Sequence, residues 1–290
     1  MESYKHSGAV PPVGALITLL AGCVTAAILG VVYSYAIVYI PFIYVNILVT
    51  VGFGLALGFA VGWAGKAGKI RNNVALGCLG LLSGVVGLYV AWASDAKARL
   101  DDGVWAFNPS LLQDYIGFFY DQGMWSVFGD EPVSGVMLAV VWLIEAVIIV
   151  GGAGVIAFGM NADTPFCERC DTWADVHEGV SRLAIDGDDS SIQRLTDGEL
   201  EALGDFTRTK KSTMPHLRLD LANCSTCKDT NYLSIVVVSE KVNDKGETST
   251  SEDSLLTNLT ISPEQILLVR DAGSAPAAVE DAASESGAIS

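Results

Sequence analysis

The chain has 290 residues, 51% of them hydrophobic, and a formal net charge of −16 at pH 7. That acidity excludes nucleic acid or an anionic lipid surface as the main electrostatic partner. The way the apolar residues are distributed excludes a single soluble globule.

From His6 to Gly65 there is no Asp, Glu, Lys or Arg. As one helix these 60 residues would extend roughly 90 Å, three times a ~30 Å hydrocarbon core, so the run turns back, and Pro41 is the natural place. Further apolar runs cover Asn72 to Ser94 and, with Glu145 as the one charge, Pro132 to Ala162. Four transmembrane helices are therefore expected near 13–40, 43–64, 74–94 and 134–158. Leu20-Ala21-Gly22-Cys23 fits a lipoprotein cleavage box, but the apolar pattern continues beyond it, and the leading segment has one lysine offset by Glu2. Cys23, like Cys78, is read as a small residue packed inside a span.

Between the second and third spans lie Lys66, Lys69 and Arg71 with no acid, which places that loop in the cytoplasm. Counting spans puts both termini on that side, in a bacterial inner membrane. Segment 95–131, with two cations and seven anions, then lies outside. Within it Asn108-Pro109-Ser110 opens a helix over 109–121, whose Leu111, Leu112, Tyr115, Ile116, Phe119 and Tyr120 form an apolar side. Such a helix lies on the outer leaflet or caps the bundle; a substrate lid is the sharper alternative.

Gly54, Gly58 and Gly62 in the second span, and Gly77, Gly80, Gly84 and Gly87 in the third, form stripes that let backbones approach closely. The expected use is packing of these two helices on each other. A homo-oligomer through Gly54, Gly58 and Gly62 is the alternative. Glu145 costs about 2.5–3.5 kcal/mol to insert at a span centre, so it is expected to face the bundle interior. Depth matching pairs it by hydrogen bond with Ser83, with Thr25 as second candidate; the functional alternative is a proton or cation site.

After residue 160 come 11 basic and 24 acidic residues, so most of the negative charge lies there. Cys167-Glu-Arg-Cys170 and Cys224-Ser-Thr-Cys227 are two CxxC units on the reducing side of the membrane. Two residues between cysteines let both sulfurs point into one tetrahedral site, so the four are read as ligands of a single Zn²⁺. A redox pair would need a strand-to-helix setting that neither unit has. CERC and CSTC resemble the two knuckles of a zinc ribbon. That resemblance implies a structural metal held by Cys167, Cys170, Cys224 and Cys227, with His177 and His216 outside the ligand set. It departs in one respect: 53 residues separate Cys170 from Cys224, against about 15–20 in compact ribbons.

That gap holds a helical stretch over 190–205, with Thr196 and Glu199 spaced as a capping box, and a strand over Leu217–Leu221. Asp186-Gly-Asp188-Asp189 is a solvated turn, since it lacks the glycine and glutamate of a calcium loop. Strands over 232–238 and 255–261 flank a turn at 243–246, and Ser262-Pro263 opens a short helix. The Ala-, Ser- and Glu-rich tail over 273–290 reads as disordered.

The expected fold is thus a membrane all-α four-helix bundle over 1–160, followed over 161–272 by a small soluble α+β, β-rich, zinc-binding domain. No hydrolase, Walker or dinucleotide motif appears, and no catalytic or organic-cofactor residue is assigned. The expected function is non-enzymatic: a multi-pass protein, embedded in membrane lipid, that anchors a cytoplasmic zinc-stabilised domain for interaction or assembly with a protein partner. The alternative is a transporter or channel component that uses Glu145.

Overall fold

The computed structural model describes residues 2–40, 42–100, 105–125, 132–185, 189–210, 214–242 and 248–273. The Pro41 turn, the turn over 243–246, the Asp186–Asp188 segment and the tail after Gly273 lie outside these. The chain forms two compact units: His6–Asp163, and Thr164 onward together with the first five residues.

In the first unit α1 (Pro12–Tyr39), α2 (Ile43–Ala67) and α3 (Asn73–Arg99) are long unbroken helices. The fourth span, Gly135–Gly159, is composite: α5 (Gly135–Ala146), a π-helical turn (Val147–Gly151) and α6 (Gly152–Gly159). All four are long and apolar enough to cross a membrane. Their amphipathicity is one of size, not polarity. On α1 Val13, Leu16, Leu20, Val24, Ile28 and Val32 are exposed, whereas Gly14, Thr18, Gly22, Ala26, Gly30 and Ser34, one every four residues, are buried. Lipid solvates the large side chains as well as a protein core does, so the small ones are left to set how closely helices approach. A Cβ on Gly30 would stand 2.7 Å from Gly87 O of α3.

The α2 and α3 stripes do not chiefly face each other. Gly54 and Gly58 meet the backbone of the fourth span, and Gly62 meets the Met160 side chain; Gly77, Gly80 and Gly84 face the same span through Phe158, Ala153 and Val150. The face considered for a homo-oligomer is thus filled by the chain's own last helix. A Cβ at Gly80 would lie 2.5 Å from Ala153 O, whereas one at Gly52 meets nothing within 4 Å. Gly80→Val is therefore expected to cost about 1–3 kcal/mol by overpacking, seen as a lower melting temperature in detergent, and Gly52→Ala to cost nothing. Equal melting of the two variants would refute this packing.

Helix α3 continues past the expected end at Ser94 to Arg99, which brings Asp95 into the bundle. Helix α4 (Pro109–Gln122) starts as expected, with Asn108 Oδ1 accepting from Ser110 N at 3.0 Å. It caps the end of the bundle. Leu112 and Tyr115 are buried with Ala96 and Ala106, packed against Tyr89, Trp92, Ile116 and Phe119. Tyr115 OH donates to Asp95 Oδ2 at 2.6 Å. Burial and that carboxylate hold the Tyr115 phenol protonated, far above its ordinary titration range.

The second unit is built on a four-stranded antiparallel sheet in the order β3 (Asp175–Ala184), β4 (His216–Asn223), β5 (Asn231–Val242), β6 (Thr248–Ile261), beside a two-stranded ribbon of β1 (Phe166–Cys167) and β2 (Thr172–Trp173). Leu183, Leu217, Leu219, Leu233 and Ile235 bury one face, closed by Leu195 of α7 (Asp189–Thr196), Leu200 and Leu203 of a 3-10 turn (Leu200–Asp205), and Val269 of α8 (Pro263–Asp271). Each such leucine, fully buried, contributes about 1.5–3 kcal/mol of transfer free energy. Thr196 ends α7 instead of capping a helix, its hydroxyl turned back to Ile192 O. Ser262 and Gln265 form the reciprocal capping box, at the start of α8. The first residues of the chain add to the sheet edge: Tyr4 N donates to Asn258 O at 2.8 Å, Thr260 N donates to Glu2 O at 3.0 Å, and the Tyr4 ring meets Tyr232 edge-on.

Candidate metal centre

The long gap between the knuckles is closed by strand pairing. β3 leaves the first knuckle at Asp175, β4 enters the second at Asn223, and these two residues are directly paired. Antiparallel pairing brings the two CxxC units together and puts the intervening chain, with α7 and the 3-10 turn, at the far end of the ladder. The 53-residue separation is thus an excursion out and back along one sheet.

The first knuckle is the β1–β2 turn, with Cys167 opposite Thr172. The second is the β4–β5 connection, pinned by Cys224 N to Thr230 O and Lys228 N to Cys224 O, both 3.0 Å. Each ends alike: Asp171 after Cys170 and Lys228 after Cys227 adopt left-handed backbone, φ 51° and 57°. That conformation costs a non-glycine residue about 1–2 kcal/mol, so its appearance in both turns reflects a demand of the turn itself.

The four Sγ atoms lie within 4.8 Å of one another, and Cys167 and Cys227 Sγ are 3.8 Å apart. Four sulfurs about 2.3 Å from a central ion, placed tetrahedrally, are about 3.8 Å from each other. Cys167 and Cys224 are buried, Cys170 and Cys227 partly so, and all are free thiols. Thr230 Oγ1 stands 3.5 Å from Cys167 Sγ and 3.6 Å from Cys227 Sγ, within hydrogen-bonding reach of both. The Asp229 backbone N–H, then Thr230, pull Cys227 down to about 5, while desolvation among neighbouring sulfurs pushes Cys170 up to about 12. Left bare, the cluster holds negative charge unevenly; a central cation would let all four ionise. The donor set and spacing suit a tetrahedral thiolate metal ion.

Arg169, in the first CxxC, forms an ion pair with Asp229, just past the second, tying the knuckles together outside the sulfurs. Spacing alone flags the cysteines but neither this pair nor Thr230. His216 is buried at the opposite end of β4, seven positions from Asn223, and His177 is exposed on β3; neither belongs to the sulfur cluster.

The structure does not bring Ser83 to Glu145. Ser83 is fully buried, donates to Leu79 O one turn back at 2.8 Å, and faces Gly22 of α1. Depth matching ignores rotation about the helix axis, and a buried serine can satisfy itself on its own helix. Glu145 instead lines a cleft with Tyr33, Ser34, Asp95 and Arg99. The π-helical turn that follows it, and Asp95, are the features sequence reasoning missed. Comparison with protein-family models, curated proteins and solved structures finds no match to this chain.

Proposed function

We propose that this is a multi-pass membrane protein whose second unit, in the cytoplasm, is a Zn²⁺-stabilised module for binding or assembling a protein partner. The observation that carries the reading is the closed set of four sulfurs: with every tetrahedral position taken by Cys167, Cys170, Cys224 and Cys227, the ion has none left for water or substrate, and its role is structural. A reducing compartment favours zinc over disulfides, and the Lys66, Lys69 and Arg71 loop favours the cytoplasm for both termini. Helix α8, closed at its N-terminus by the Ser262–Gln265 capping box, presents Leu267 and Leu268, 62% and 48% exposed, on an otherwise acidic domain. Two outward leucines on an ordered helix are contacts of the kind a protein partner covers.

A photo-crosslinking residue placed at Leu267 in native membranes tests this. The expected result is a discrete adduct with another protein. Adducts to lipid alone, or none, would contradict the interaction role.

A further inference from the structure

At the α4-capped end of the bundle a cleft of about 70 Å³ opens between α1, α3 and α5, lined also by Trp125. Two carboxylates reach it. Asp95, 7% exposed, is satisfied: Arg99 Nε at 2.9 Å and Tyr115 OH at 2.6 Å both donate to Oδ2. Glu145 has no hydrogen-bond or ion-pair partner among the described residues, and lies about 15 Å along its span from Gly135. With Asp95 neutralised by Arg99, the cleft holds one uncompensated carboxylate, which hydrocarbon surroundings make costly.

An independent feature points to a ligand. Ser34 is 2% exposed, lines the same cleft, and its Oγ has no hydrogen-bond partner. A buried hydroxyl in a span ordinarily bonds to its own helix, as Thr18, Ser83 and Ser94 do here; Ser34 does not. The walls are aromatic, with Trp92 and Trp142 meeting edge-on at 4.9 Å. Indole faces carry negative quadrupole potential and attract organic cations. The π-helical turn beginning two residues after Glu145 is a distortion that recurs at functional sites.

We propose that this cleft binds one small organic cation of the primary-ammonium class, its N–H groups donating to Glu145 and Ser34 Oγ and its charge resting among Trp92, Trp125 and Trp142. The volume admits roughly five water-sized groups, which suits a ligand with about that many heavy atoms or the end of a longer one. The same group occurs free in solution and as the head of an aminophospholipid. The proposal does not depend on the role of the metal domain.

The indoles supply the readout. Full-length protein in lipid-free maltoside micelles is titrated with ethanolammonium chloride, against sodium chloride at matched ionic strength, while tryptophan emission is recorded. A saturable change with ethanolammonium and none with sodium is expected, weakened at least tenfold in Glu145→Gln and several-fold in Ser34→Ala. Should Glu145→Gln fail to elute and melt as a folded protein, Ser34→Ala and Trp142→Phe carry the comparison. Competition by phosphatidylethanolamine but not phosphatidylglycerol would identify a lipid headgroup as the source, and its absence a soluble amine; either outcome supports the site. No saturable change, or saturation unaltered in the variants, overturns it and leaves Glu145 a protonated structural acid.

Discussion

Cys224→Ser is expected to release the metal and unfold both knuckles. Cys224 is 0% exposed, and its own N–H and C=O hold the second turn to Thr230 and Lys228. A serine hydroxyl does not replace a thiolate as a zinc ligand, and the three sulfurs left behind would repel one another. Structural zinc supplies apparent folding free energies of about 10–16 kcal/mol in small peptides, as much as the whole stability of an ordinary domain. The sheet has its own leucine core and will outlast the loss in part. The β1–β2 ribbon, with only two residues per strand and Phe166 meeting Trp173 edge-on, will not. Hydrogen exchange should show segments 165–174 and 223–231 losing protection together, while the α3 control Cys78→Ser leaves metal content and exchange unchanged. Full metal content in Cys224→Ser would remove that residue from the ligand set.

The second large effect concerns sidedness, where the outcome is all or none. A periplasm-dependent phosphatase fused after Gly273 should be inactive, and one inserted after Phe107 active. Lys66, Lys69 and Arg71 favour a cytoplasmic loop between α2 and α3. Residues 2–4 hydrogen-bond to β6, so the first residues of the chain and the cysteine-cluster unit must share a compartment, as the four candidate spans among the described residues also require. An active C-terminal fusion would invert the topology, and with it place the thiols in an oxidising space where disulfides compete with metal.

What could be read from the sequence follows from how far each signal extends. Charge-free runs longer than a bilayer announce four helices, and paired CxxC units announce a shared site, because both are properties of neighbouring residues. Asp95 was misplaced for the opposite reason: a charge normally ends an apolar run, but here Arg99 one turn on and Tyr115 on another helix satisfy it within the fold. Strand β3 escaped because a bulge at Gly179, φ 62°, interrupts its alternation and its first four residues are exposed. Half of β6 escaped because Thr248–Asp253 is polar and gains its order from pairing with β5. The surroundings of Glu145 were beyond reach, since rotation about a helix axis and a π-helical turn leave no mark that depth counting detects.

X-ray absorption at the zinc edge, on full-length protein purified without added metal, tests the central claim most directly. The expected result is one zinc per chain in a single shell of four sulfurs at about 2.3 Å. A centre without zinc, nitrogen or oxygen atoms in the first shell, or cysteines recovered as disulfides, would contradict it.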